Sequence, residues 1–199
     1  MASAAILVGG RARRFGGRDK SALVVGGRTI LARQLDALAP VADDVLIVGS
    51  VTDVASGVSR SCRVVHDRVP DSGPLGGLDA ALAAARDEVL ILLACDMPFV
   101  TSAFLDYLVA SADGVEAVVP RTDRGYHPLC AVYTRACRAA VTQRLDEQRL
   151  AMTGVIEAVR TRVIEPDDVE RFGPARRLLA NVNTPGEFDE LEALLGHKL

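Results

Sequence analysis

Apolar residues follow two rhythms along this chain. Unbroken runs at Ala4–Val8, Val45–Val48, Val64–Val65 and Val89–Leu93 read as strands buried on both faces, the pattern parallel sheets require. Between them, Thr29–Leu38 repeats apolar residues at 30, 31, 35 and 38, and this spacing and the Leu75–Ala85 segment predict helices. Thr101 or Ser102 caps a further helix over Ala103–Ala110. Beyond residue 115, strands are predicted at Ala117–Val119 and Leu129–Tyr133, flanking a polar loop Arg121–His127. Helices follow at Arg135–Leu145 and Ala151–Val159, then a strand at Thr161–Ile164. A last strand is expected at Leu178–Val182, with Pro185 in the first turn of a final helix, Gly186–Leu195. Strand and helix alternate, so the order predicts a three-layer α/β/α fold around a mostly parallel sheet.

Composition narrows the picture. With 199 residues, the chain is read as a single unit with room for a proper core, and no linker or repeat divides it. The net charge of −3 argues against a nucleic-acid partner. The longest apolar run, Val89–Ala94 extended by Cys95, is too short to span a bilayer, and no signal peptide opens the chain, so a cytoplasmic, membrane-free protein is expected. The four cysteines form no C-x-x-C pair; Cys95 and Cys130, in apolar surroundings, read as small buried hydrophobes.

The candidate chemistry sits where strands end, because open parallel sheets bind ligands at the carboxyl edge. The first run, Ile6-Leu7-Val8, enters Gly9-Gly10, and Arg11, Arg13, Arg14, Arg18 and Lys20 follow, interleaved with Gly16-Gly17. Glycines bring backbone N–H groups close to a ligand, and the cations add charge there, a combination suited to a triphosphate. The segment is neither G-x-x-x-x-G-K-[ST], since Asp19 precedes Lys20, nor G-x-G-x-x-G. No G-x-S-x-G elbow is present. Asp96 emerges where the run to Cys95 ends and Pro98 stops further pairing; one carboxylate opposite a phosphate loop suits Mg²⁺, which takes few carboxylates along with phosphate oxygens and water. Asp67, after Val64-Val65-His66, can accept a ribose hydroxyl, join the metal or simply be solvated. The turn Asp71–Leu78 opens a helix with glycines that admit close packing or a flat base, and turn chemistry alone explains it too.

In order, Leu7-Val8-Gly9-Gly10-x-x-x-Arg14-Phe15-Gly16-Gly17-x-Asp19-Lys20, Gly73-Pro74-Leu75-Gly76-Gly77, Cys95-Asp96-Met97-Pro98-Phe99, His127-Pro128-Leu129-Cys130-Ala131-Val132-Tyr133 and Asn181-Val182-Asn183-Thr184-Pro185 resemble the motifs of the molybdenum cofactor guanylyltransferase (MobA) family of nucleotidyltransferases. Val8, Phe15 and Gly76 depart from the family's alanine, methionine and alanine. The resemblance implies a Rossmann-like sheet of the nucleotide-diphospho-sugar transferase type and an Mg²⁺-dependent transferase, with Mn²⁺ as an alternative ion. Its reactants would be GTP and molybdopterin, and its products molybdopterin guanine dinucleotide and pyrophosphate. Residues 1–100 would form a nucleotide and metal half and 101–199 an acceptor half. By position, Leu7, Val8, Gly9, Gly10, Ser50, Asp67 and Gly76 would bind the nucleotide, while Arg14 and Lys20 would face its phosphates. Asp96 would hold the metal, and Asn183, or less well Asn181, is a candidate second ligand that equally suits a structural turn. His127 and Pro128 would meet the acceptor, and Tyr126 would stack there or pack on the core. The resemblance also implies a monomer or weak oligomer, with other cofactor-biosynthesis proteins and molybdoenzymes as partners. Rival readings are a molybdopterin cytidylyltransferase, a phospholactate guanylyltransferase or a sugar-1-phosphate nucleotidyltransferase on the same fold, and a non-catalytic nucleotide-binding protein that delivers cofactor.

Overall fold

A computed structural model of the protein describes residues 2–8, 23–25, 27–49, 62–66, 69, 71–182, 186–187, 189–190 and 193. Four parallel strands form one side of the sheet: β1 (Ala2–Leu7), β4 (Ala42–Val48), β5 (Cys62–Val65) and β6 (Val89–Ala94). A short hairpin, β2 (Val24–Val25) with β3 (Arg28–Thr29), lies apart from it. The other side comprises β7 (Ala117–Thr122), β9 (Cys130–Thr134) and β10 (Thr161–Ile164), giving the order β10-β7-β9-β6-β1-β4-β5. In this path β9 runs antiparallel to both its neighbours, β6 and β7, while β10 returns parallel to β7.

Side-chain alternation explains why the strands read as unbroken apolar runs. Along β6, Ile91 and Leu93 enter the core on one face, and Leu90 and Leu92 enter the core on the other. Along β9, Cys130 and Val132 take the first face, while Ala131 and Tyr133 take the second. The first face is covered by α1 (Ile30–Leu38), α3 (Ser102–Ala110) and the short helices α6 (Pro166–Glu170) and α7 (Ala175–Leu178). Against the second lie α2 (Gly73–Ala84), α4 (Arg138–Asp146) and α5 (Thr153–Ala158). The mostly parallel, helix-flanked sheet is the architecture the sequence pattern predicts.

Helix ends follow their capping residues. Thr29 Oγ1 accepts Ala32 N–H at 3.1 Å to start α1, and Thr101, one of the two expected caps, accepts Phe104 N–H at 3.4 Å to start α3. Helix α2 is buried on most sides, and its single buried carboxylate, Asp79, meets Arg138 Nε at 3.1 Å and the Thr142 hydroxyl at 3.3 Å on α4.

Three expectations need correcting. The loop Arg121–His127 is largely a hairpin: β7 runs on through Thr122 and pairs with β8 (Gly125–Tyr126) around Asp123-Arg124, with Gly125 at φ 101° making the turn. The segment Arg135–Leu145 starts as one turn of 3₁₀ helix, Arg135–Cys137, before α4. No strand forms over Leu178–Val182: Leu178 closes α7, and 179–182 are irregular. Both sides of β6 are already paired, by β1 and β9, so no ladder was open there. The apolar residues are buried as expected, but not as a strand: Leu178 and Leu179 join the core of the first face, and Ala180 and Val182 pack with Ile30. The described residues 186–187, 189–190 and 193 are helical, whereas Pro185 lies outside the described residues. Among the described residues, no helix is long and apolar enough to cross a membrane.

Candidate active site at the carboxyl edge of the sheet

Where the parallel strands end, their backbones are tied sideways. Val8 N–H donates to Val48 O at 2.8 Å, Gly49 N–H to Val65 O at 3.0 Å, and Cys95 N–H to Leu7 O at 3.2 Å. The chain therefore leaves β6, β1, β4 and β5 in adjacent places, one strand spacing (about 4.8 Å) apart. At this exit Leu7 is half-buried and Val8 is buried. Gly9, Gly10, Arg14, Lys20, Ser50, Asp67 and Asn183 lie outside the described residues.

Gly49 sits at φ 147°, and a Cβ there would run into the Val8 carbonyl oxygen. Only glycine lets β4 leave this close to the exit of β1. Gly76 is buried in the second turn of α2, where a Cβ would press on the Ser72 side chain. That helix opens through Asp71 and Gly73, at φ 59° and 58°. His66, just beyond β5, is exposed.

The Asp96 turn is held from several sides. Its side chain is half-buried between buried Cys95 and Met97. The Asp96 carbonyl accepts Val182 N–H at 3.0 Å, so the segment bearing Asn181 is fastened to the turn that carries the carboxylate. Gln34 reaches up from α1, donating from Nε2 to Ala94 O at 2.7 Å and to Met97 O at 3.3 Å. The sequence reading overlooked Gln34. Its signal was a polar residue on the apolar face of α1, beside Leu31, Ala37 and Leu38.

Reversal of β9 brings a second group to the same edge. Cys130 starts β9 opposite Leu93 near the end of β6, and Leu129 O accepts Ala94 N–H at 2.8 Å. His127 and Pro128 therefore stand within a few residues of the Asp96 turn. His127 is fixed by its own N–H to Pro120 O (2.8 Å), by its carbonyl to Cys130 N–H (3.0 Å) and by its Nε2 to the Thr122 hydroxyl (2.8 Å). Pro128 O accepts the buried Tyr133 hydroxyl at 2.9 Å. Burial pushes the His127 pKa below its usual value, the Arg124 charge adds to this and Asp123 opposes it, so the ring is neutral at pH 7. Tyr126 is 40% exposed on the hairpin, which rules out the core-packing alternative.

Beside the Asp96 turn, a basic hollow of about 410 Å³ opens between α1 and residues 172–178, lined by Arg28, Arg33 and Arg177 among others. The Arg177 guanidinium stacks over Phe99 at 5.3 Å, and Arg28 pairs with Asp36.

Among the described residues no three His, Cys, Asp or Glu side chains gather into a ready-made cage. A magnesium ion that shares its shell with substrate phosphates does not need one. One carboxylate on a braced turn at the ligand-binding edge is a donor set that fits such an ion.

This mostly parallel, helix-flanked sheet recurs in solved structures of nucleotidyltransferases. Molybdopterin-guanine dinucleotide biosynthesis protein A from Archaeoglobus fulgidus superimposes with a TM-score of 0.82 at 22% identity, covering 98% of this chain and 100% of that one. The 2-C-methyl-D-erythritol 4-phosphate cytidylyltransferase of Thermus thermophilus gives 0.71 at 17% identity, covering 98% and 100%. In sequence, the molybdenum cofactor guanylyltransferase of Desulfosudis oleivorans is 31% identical over 96% of this chain and 94% of its own length. The MobA-like NTP transferase domain matches residues 4–163, and the chain belongs to that family.

Proposed function

We propose that the protein transfers GMP from GTP to molybdopterin, releasing pyrophosphate and molybdopterin guanine dinucleotide. The observation that carries this reading is the shared edge: the exit of β1, the Asp96 turn and the start of β9 are joined through Leu7 O, Cys95 N–H, Ala94 N–H and Leu129 O. Nucleotide, metal and acceptor groups would thus meet within two strand spacings. The similarity to the Desulfosudis oleivorans guanylyltransferase supports guanine as the base and molybdopterin as the acceptor.

The molybdopterin phosphate, anionic at neutral pH, needs no general base. Its oxygen bonds to the α-phosphorus of GTP as the bond from that phosphorus to the bridging oxygen breaks, and pyrophosphate leaves with the electron pair. Catalysis then depends on alignment and charge neutralisation. Leu7, Val8, Gly9 and Gly10 line the nucleotide, Ser50, Asp67 and Gly76 complete its pocket, and Arg14 and Lys20 meet the growing charge on pyrophosphate. Asp96, with Asn183 as the second donor, would hold Mg²⁺, which when bound neutralises phosphate charge and polarises the α-phosphorus. His127, neutral and fixed to Thr122, hydrogen-bonds the acceptor beside Pro128, without an ion pair. Residues 1–100 thereby serve nucleotide and metal, and 101–199 serve the acceptor and add Asn183 to the metal.

Mass spectrometry of the product from protein, Mg²⁺, molybdopterin and GTP or CTP tests the reading. The expected result is dinucleotide with GTP alone, a loss of about 10²-fold or more in Asp96→Asn, and both weaker GTP binding and slower transfer in Lys20→Ala. Product from CTP alone would establish a cytidylyltransferase instead, and nucleotide binding without turnover would establish a delivery protein.

A further inference from the structure

Gln34 is 1% exposed, yet it carries a carboxamide in the apolar face of α1. Both its amide hydrogens have partners, and those partners are the carbonyls on either side of Asp96: Ala94 O at 2.7 Å and Met97 O at 3.3 Å. Its own Oε1 is buried and, among the described residues, accepts no hydrogen bond. Turning the amide over would aim that oxygen at two carbonyl oxygens, so the assignment of Nε2 to the turn is the one chemistry allows. A residue kept for packing alone would be Leu or Met, which would leave no orphaned acceptor in the core.

Three neighbouring carbonyls around the carboxylate are therefore all engaged from outside the turn. Gln34 takes residues 94 and 97, Val182 N–H takes residue 96 itself, and Cys95 N–H ties the turn back to Leu7 O. We infer that Gln34 is a positioning residue, whose two amide hydrogens set the Asp96 turn, and so the carboxylate, in the orientation that receives the metal. It touches no substrate. The inference rests on the proposed role of Asp96.

Four proteins test it: the wild type, Asp96→Asn, Gln34→Glu and Gln34→Met, the last of which keeps the volume and removes both donors. Amide hydrogen exchange reads the turn directly at Cys95 and Val182. Mn²⁺ affinity by electron paramagnetic resonance reads the carboxylate without any turnover, and steady-state GMP transfer reads catalysis. Gln34→Met should exchange faster at both amides, hold Mn²⁺ about 10-fold more weakly, and lose about 10- to 100-fold in kcat while the KM for GTP stays within about threefold. Gln34→Glu keeps every heavy atom position but faces two carbonyls with a carboxylate. Its defect should ease as the pH falls and the buried carboxyl takes up a proton it can donate. Merely altered packing would give no such pH profile.

Wild-type exchange at Cys95 and Val182 in Gln34→Met would overturn the inference, as would wild-type Mn²⁺ affinity in that variant. Equal Mn²⁺ affinity in Asp96→Asn and the wild type would also overturn it, because the turn would then be aiming nothing. A wild-type protein that binds Mn²⁺ through Asp96 yet transfers no GMP would refute the proposed reaction alone. The exchange and Mn²⁺ results would then still decide the role of Gln34.

Discussion

At Gly49 the main chain bends with φ at 147° and passes so close to the Val8 carbonyl that no side chain fits. Gly49→Ala should therefore cost about 1–3 kcal/mol through backbone strain and collision. Because the displaced atoms belong to the exit of β1, the KM for GTP should rise while that for the acceptor holds. Thermal unfolding and the two KM values check this; a wild-type melting temperature would contradict the close approach. Single residues show how far sequence alone reaches. The place of Asp96 at a strand end was legible because its signal is local: a carboxylate just past a buried run. Gln34 was not, since its meaning lies in two carbonyls 60 and 63 positions away. Likewise the neutral state of His127 follows from burial, and its orientation from Thr122, which the pattern assigned to a loop.

At the scale of elements, the strands were legible because burial on both faces leaves continuous apolar runs, α1 because of its apolar period, and the start of α3 because a threonine caps it. Apolar pattern carries no record of strand direction, so the reversal of β9 had no signature. Hydrophobicity also could not tell buried coil from strand at Leu178–Val182. At the amino edge of the sheet, away from the candidate site, the strands are joined by a polar cluster. Arg63 makes two hydrogen bonds to Asp44, at 2.8 and 2.6 Å, from β5 to β4. Ser3 Oγ on β1 lies 2.8 Å from Asp87 and 3.2 Å from Asp44, and it accepts N–H groups of Arg86 and Asp87. Burial pushes the Asp44 carboxyl up, but the bonds from Arg63, Arg86 N–H and Ser3, with the Arg63 charge, outweigh this and hold its pKa below the ordinary 3.8. A pKa lowered by folding adds stability that is present above the unfolded value and lost as pH falls through the folded one. Stability should thus drop on acidification below about pH 3.8. Asp44→Asn should remove that part of the acid limb and cost about 1–3 kcal/mol at pH 7 by leaving Arg63 without its charge partner. Denaturant midpoints at pH 7 and pH 3 measure both effects, and an unchanged acid limb would refute the assignment.

For the molecule as a whole, acid acts in two stages. His127 titrates below its usual 6.5, so its contribution is full above that value and is lost as pH falls through the lower folded value; the Asp44 loss follows below its ordinary 3.8. Thiols report the same cooperativity at neutral pH. Burial pushes Cys130 and Cys137 up to about 12, so almost no thiolate, the reactive form, exists in the folded state. In the native protein at pH 8, a thiol reagent should modify the half-buried Cys62 and leave Cys130 and Cys137 untouched until the fold opens. Peptide mapping after timed alkylation tests this, and rapid labelling of Cys130 would contradict the packing of β9 against β6.

The reversed strand has one more consequence, for how the chain is made. Synthesis delivers β6 well before β9, so one edge of Leu90–Leu93, apolar and unpaired, stays bare until the ribosome has added residue 134. Such an edge invites pairing with other chains. A fragment ending near residue 100, although it would carry every nucleotide-side group of the proposed reaction but Asn183, would keep that edge permanently open. On the proposed function the two roles divide the sequence into halves, yet the sheet makes them inseparable as objects, and the nascent chain needs residues 130–134 to cover that edge before it needs the acceptor half to react.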